Sequence, residues 1–143
     1  MIHLVKLCVG AESVNDLKVW QDHVVSERRR VGLAPFPTHE TRQTPKRATE
    51  LTSGGSLYWV IKGTILVRQE FVAVNVLQDR SGRNFCELVL DPNLVMTEPQ
   101  GRKAFQGWRY LKPEDAPADL KRGGAQKDLP PELGLALKDA GVW

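Results

Sequence analysis

Apolar positions along this chain fall into two periods, and the switch between them outlines the elements. "IHLVKLCV" (2–9) is rich in strand formers, and Gly10 ends the run. "SVNDLKVWQDHVVSERRR" (13–30) changes to helical spacing. Val14, Leu17, Val24 and Val25 recur on one side, with Trp20 or Gln21 between them. Ser13 suits the N-cap and Asp16 the first turn, while Arg28, Arg29 and Arg30 suit the last turn and Gly32 the stop. Two prolines make "LAPFPTHE" (33–40) a loop. "TRQTP" is a short extended piece, because Pro45 disfavours helix at Thr44. "KRATEL" (46–51) has room for one or two helical turns before "TSGG".

The middle of the chain is the most strand-like. "SLYWVIK" (56–62) and "TILVRQEFVAVNVL" (64–77) flank Gly63, and the second run is too long for one flat strand, so it predicts a bend or bulge. "QDRSGR" (78–83) is a hairpin turn and "NFCELVLD" (84–91) pairs back across it. After a polar loop, "FQGWRYL" (105–111) is the last strand. "PPELGLALKDAGV" offers one short helix, with Pro130 and Pro131 at its start and Gly141 near its end. Five to seven strands with helices at the edges predict an α+β domain over residues 1–120 and a tail over 121–143. A small mixed β-barrel flanked by helices is the natural closure, because it removes exposed strand edges.

Composition bounds the class. A chain of 143 residues is the usual size of one domain, and 41% hydrophobic with 26% charged residues is a globular balance. No apolar run approaches the ~20 residues of a membrane span, and "MIHLVKLCVG" lacks the parts of a secretory signal. The expected place is the cytoplasm, with no membrane partner. Cys8 and Cys86 are far apart, form no CxxC pair and sit in apolar stretches, so both are expected as buried reduced thiols. The net charge of +3 hides an uneven distribution. Residues 26–112 carry 14 Lys or Arg against 8 Asp or Glu, while both ends are mildly acidic. A basic centre suits a phosphate-bearing partner; a solvated mixed-charge surface is the plain alternative.

The candidate chemistry follows from that centre. Trp59 and its neighbour Tyr58 face opposite sides of a strand, whereas Trp108 and Tyr110 share a face with Arg109 opposite. Trp59, Trp108 and Tyr110 can stack bases or fill a core, and the pattern leaves both open. Arg42, Lys46, Arg47, Arg68 and Arg109 are the candidate phosphate holders, with Arg102, Lys103 and Lys112 able to join them. The run Arg28–Arg30 reads more simply as a solvated helix end. His3, His23 and His39 show no metal-ligand spacing, so no metal site is expected. His39 is the only one of the three in the expected loop. No phosphate loop, nucleophile elbow or dinucleotide fingerprint occurs, and no cofactor is expected.

The stretches "IHLVKLCVG", "PKRATELTSGGSLYWVIKG", "LVLDP" and "FQGWRYLKPEDAPADL" resemble an uncharacterised bacterial family, domain-of-unknown-function family 1489, over residues 2 to 120. That family carries no assigned activity. A looser resemblance, carried by "KRATELTSGGSLYWVIKG" and "GWRYL", is to the PUA-like barrels, which include the ASCH and EVE domains. It implies an RNA- or nucleotide-binding role. Some ASCH domains are small amidohydrolases on modified nucleosides that use a Lys and a Thr three residues later. Lys46 and Thr49 stand at that spacing here, although the family's GKxT form is absent, and Glu70 or Glu87 would have to supply the acid. The readings carried forward are RNA or nucleotide binding, that amidohydrolase, and a protein-interaction module using the tail.

Overall fold

The computed structural model describes residues 1–120. The expected helix within 130–142 lies outside the described residues. Seven strands and two α-helices are laid out in the order β1 (His3–Leu7), α1 (Val14–Arg30), β2 (Thr38–Thr41), α2 (Ala48–Leu51), β3 (Ser56–Ile61), β4 (Thr64–Gln78), β5 (Asn84–Leu90), β6 (Val95–Gly101) and β7 (Trp108–Leu111). A 3₁₀ turn at Pro113–Asp115 follows.

α1 begins and ends where its local chemistry says it must. The Ser13 hydroxyl accepts from the Asp16 amide at 3.1 Å, and the Asp16 carboxylate accepts from the Glu12 amide at 2.9 Å. The first bond satisfies an orphan donor of the first turn, and the second ties down the residue before the cap. At the other end Gly32 takes φ +83°. Its amide donates to Arg29 O at 3.1 Å, and the Leu33 amide donates to Arg28 O at 2.8 Å. These are the two bonds of a Schellman cap, which only a left-handed residue closes without strain.

The strands form one mixed sheet in the order β2-β5-β4-β3-β1-β7, with β6 also paired to β4. β1 and β3 run parallel, and every other pair is antiparallel. β4 is the spine. Its first half, to Glu70, lies beside β3, and part of that half also pairs β6; its second half pairs β5 across a register shift between Phe71 and Ala73. The long strand thus bends at an irregularity, as its length predicts. All six residues of β3 are buried, because both faces of the sheet are covered there. On one face Leu4, Leu17, Leu51, Leu57, Trp59, Val67, Leu88 and Trp108 form the main core; on the other Val5, Tyr58, Val60, Ile65 and Leu111 form a smaller one beneath Phe105 and Ala116. Tyr58 and Trp59 do face opposite sides, but neither side is wet.

Three sequence expectations change. Residues 38–40 of the expected loop belong to β2, whose pairing with β5 outweighs the two prolines before it. The polar stretch after β5 contains β6. Pro99 sits in it at a shifted stretch of the β4 pairing, the kind of place where a sheet tolerates proline. The barrel is not closed by a ladder, because β2 and β7 do not pair with each other. Two side chains bridge the gap instead. Trp108 Nε1 donates to Gln43 O at 2.8 Å, and the Arg47 amide donates to Tyr110 Oη at 3.1 Å. The architecture is an α+β fold on an open, strongly curled seven-stranded sheet.

Candidate functional site

Where β2 curls over β3, the main core admits a polar group. Gln69 of β4 is fully buried, and Gln21 of α1 is 4% exposed. Their amides face each other reciprocally, Gln21 Nε2 to Gln69 Oε1 at 2.7 Å and Gln69 Nε2 to Gln21 Oε1 at 2.7 Å. Trp59 Nε1 also donates to Gln69 Oε1 at 2.8 Å, and Gln69 Nε2 also donates to Asp91 O at 3.0 Å. An indole N–H only donates and a backbone carbonyl only accepts, so these two partners fix which way the Gln69 amide points. Gln69 then fixes Gln21, which has one N–H left. That N–H reaches His39 Nε2 at 3.0 Å. His39 Nε2 must therefore accept, which places the imidazole proton on Nδ1 and keeps the ring neutral.

His39 packs against Trp59 with ring centroids 4.6 Å apart and ring planes tilted by 59°. Burial pushes its pKa down to about 4, and the positive charge of Lys6 adds to the push. Lys6 lies in β1 between Trp59 of β3 and Trp108 of β7 in the strand register. Its ammonium is partly buried and makes no hydrogen bond or ion pair among the described residues, and burial lowers its pKa. Cys8, two residues on, is a partly buried free thiol whose pKa burial raises to about 11, so it stays protonated at neutral pH.

These groups line a cleft of about 350 Å³ between the end of β1, the first turns of α1, and the rings of His39 and Trp59. Asp16 and Trp20 complete its wall, and Trp20 is 55% exposed. A second hollow of about 410 Å³ is walled by Lys18, Gln21, Asp22, Pro37 and Asn93. The first is the better candidate site, since aromatic faces, a cation unpaired among the described residues and a histidine held neutral converge on it. No group of His, Cys, Asp or Glu able to hold a metal occurs among the described residues.

The residues singled out from sequence are dispersed. Trp59 is 1% exposed and lends the cleft an edge; Trp108 is buried in the core. Tyr110 is partly buried, packs edge-on against Trp108 at 4.9 Å and carries the Arg47 guanidinium 5.5 Å from its ring centre. Arg47 also pairs with Glu50, and Arg42 and Lys46 are exposed on the same segment. Arg68 grips Asp119 with two bonds, at 2.8 and 2.9 Å, and donates to Ser56 Oγ at 2.9 Å. Arg109 lies over Phe105 at 5.3 Å and donates to the carbonyls of Gln106 and Trp108. Lys46 and Thr49 are both exposed, and neither lines the cleft. The fold thus brings Arg47 against Tyr110 with Lys46 beside it, places Arg42 within reach of the Asp79 carboxylate at the β4–β5 turn, and sends Trp59 and Arg68 elsewhere. Gln21, Gln69, Lys6 and Trp20 were not singled out as site residues. The legible signal was a glutamine in the inward series Val67, Gln69, Phe71, and another in the helical series Val14, Leu17, Gln21.

Fold and cleft together define a mixed α+β protein with one open sheet and a small aromatic cleft beneath its helix. No curated protein and no solved structure matches it. A family model does, the one described as Protein of unknown function (DUF1489), over residues 4–143, and the chain belongs to that family. Among the described residues no helix is long and apolar enough to cross a membrane.

Proposed function

We propose that the protein binds a small planar anion of the nucleotide class in the Lys6–His39–Trp20 cleft. One observation carries this reading: a partly buried lysine with no counter-ion among the described residues sits beside two aromatic rings. Leaving an ammonium partly desolvated and unpaired costs free energy, and an anionic ligand is the partner that would offset it. The neutral His39 ring and the exposed Trp20 indole supply flat surfaces against which a base stacks, an interaction of ~1–3 kcal/mol per base. Titration calorimetry with nucleosides and with their mono- and diphosphates tests it. The phosphorylated ligands bind and the bare nucleosides bind less well. Lys6→Gln lowers phosphate-dependent affinity by about tenfold, the equivalent of ~1.4 kcal/mol. Equal affinity in wild type and Lys6→Gln, or no binding by any of these ligands, removes the reading.

A second reading is RNA binding along Arg42, Lys46 and Arg47. It draws on the PUA-like resemblance of this stretch and on the guanidinium of Arg47 lying over Tyr110 at the surface. Its signature is affinity for single-stranded RNA that falls steeply with salt and drops in Arg47→Glu. Salt-independent or absent binding excludes it.

A further inference from the structure

Beyond Phe71, β4 leaves the body of the sheet. On the side facing β3 its last tie is the Phe71 amide to Gly55 O at 3.1 Å. From Val72 to Gln78 β5 pairs only the other side, and no strand among the described residues pairs this one. The run is Val-Ala-Val-Asn-Val-Leu-Gln, with Val72 41%, Val76 57% and Leu77 38% exposed. Free strand edges are ordinarily guarded by charge, proline or an extra bulge along the edge. Residues 72–78 carry no charge and no proline, and the one irregularity lies at their start.

We propose that this edge pairs with the same edge of a second copy of the chain, antiparallel about Asn75. The choice of occupant rests on self-complementarity. Pairing about Asn75 sets Val74 against Val76 and Ala73 against Leu77 on opposite faces, so each face of the joined ribbon gains matched apolar pairs. Before Val72 the edge is taken, since the Phe71 amide bonds Gly55 O and Glu70 pairs with Ser56 of β3, so the joined ribbon runs from Val72 to Gln78. No charge opposes a like charge along this run, because none of its residues is charged. The proposal is independent of the ligand-binding reading, because no residue from 72 to 78 lines the cleft.

The axis passes through one residue, which gives a specific test. Asn75 is exposed, and its amide donates to Glu87 Oε1 at 3.1 Å. Asn75→Lys keeps a partner for Glu87 within the monomer but sets two ammonium groups opposite each other across the axis. Sedimentation equilibrium of the full chain shows a concentration-dependent dimer. In Asn75→Lys its dissociation constant rises by about tenfold or more, with circular dichroism and thermal midpoint unchanged. Mild oxidation of Asn75→Cys yields a covalent dimer whose link, by peptide mapping, joins the two introduced thiols. Paired residues in an antiparallel ladder lie ~4.5–5.5 Å apart at Cα, inside disulfide range. A wild-type chain that stays monomeric overturns the proposal, as does a dimer undiminished in Asn75→Lys. A monomer whose 72–78 amides are nonetheless slow to exchange also overturns it, and assigns the edge to another segment of the same chain.

Discussion

Replacing Gln69 with leucine conserves the volume at a fully buried position and removes the centre of the polar group. Four partners lose their bond: Trp59 Nε1, both ends of the Gln21 amide, and Asp91 O. A buried donor or acceptor left unsatisfied costs ~1–3 kcal/mol. Gln21, on the rim of the outer hollow, can turn toward water, so its two ends are discounted. Trp59, 1% exposed, cannot turn. A loss of about 3–4 kcal/mol follows, dominated by the indole N–H and the Asp91 carbonyl. Urea unfolding reads it directly: with a slope of ~2 kcal/mol per molar, the midpoint falls by about 1.5–2 M. The double variant Gln21→Leu/Gln69→Leu is the sharper measurement. Removing both amides leaves fewer orphans than the two single variants together, so the double loses less than the sum of the singles, by about 1 kcal/mol or more. A loss under ~1 kcal/mol in Gln69→Leu, or strict additivity in the double, refutes the claim that these amides act as one unit.

Two further outcomes follow from single groups. The folded-state pKa of His39, about 4, lies below its ~6.5 in the unfolded chain, so the unfolded state binds the proton first as pH falls. Stability therefore drops from about pH 6.5 down toward pH 4, with a loss of ~2 kcal/mol between pH 7 and pH 5 that urea titrations detect and that His39→Asn lacks. At Gly55 an added Cβ would sit 2.1 Å from Ile2 O and 2.7 Å from Leu51 O, both backbone atoms. Gly55→Ala then costs about 3 kcal/mol and some 10 °C of thermal midpoint, whereas Gly82→Ala, at φ +83° with open space around it, costs about 1 kcal/mol.

How much of the fold was legible depends on whether a segment's structure is set locally or by its neighbours. α1 was legible to its ends because its caps are local: Ser13 with Asp16, then Arg28 to Leu33. The bend in β4 was legible from length alone. β6 was not. "VMTEPQG" contains a proline and has no alternation, and it is a strand because β4 offers it an edge and residues 118–120 cover its other side. The open sheet was not legible for the same reason. Closure depends on where β2 and β7 end in space, and two side-chain bonds from Trp108 and Tyr110 stand in for the ladder that edge removal would predict.

The site was harder to read than the fold, and the reason is chemical. Sequence reasoning followed charge and aromatic content to Arg68, Trp59 and Trp108, because those side chains have the most to offer a ligand when exposed. Each is already engaged: Arg68 by Asp119, Trp59 by Gln69, Trp108 by Gln43. Lys6 has no such partner among the described residues, and it is a cation in a strand whose pattern says only "edge of a core". That it lacks a counter-ion among the described residues is a property of the folded arrangement, since Asp16 lies on the same cleft without pairing to it. The two glutamines were legible in principle, as polar residues standing in otherwise apolar series. A buried amide in such a series needs an amide, indole or imidazole partner from another element. Gln21 and Gln69 are each other's partner, Trp59 and His39 complete the set, and the ring that closes it borders the cleft. Searching a sequence for unexplained inward polar residues, rather than for charge, leads to this site.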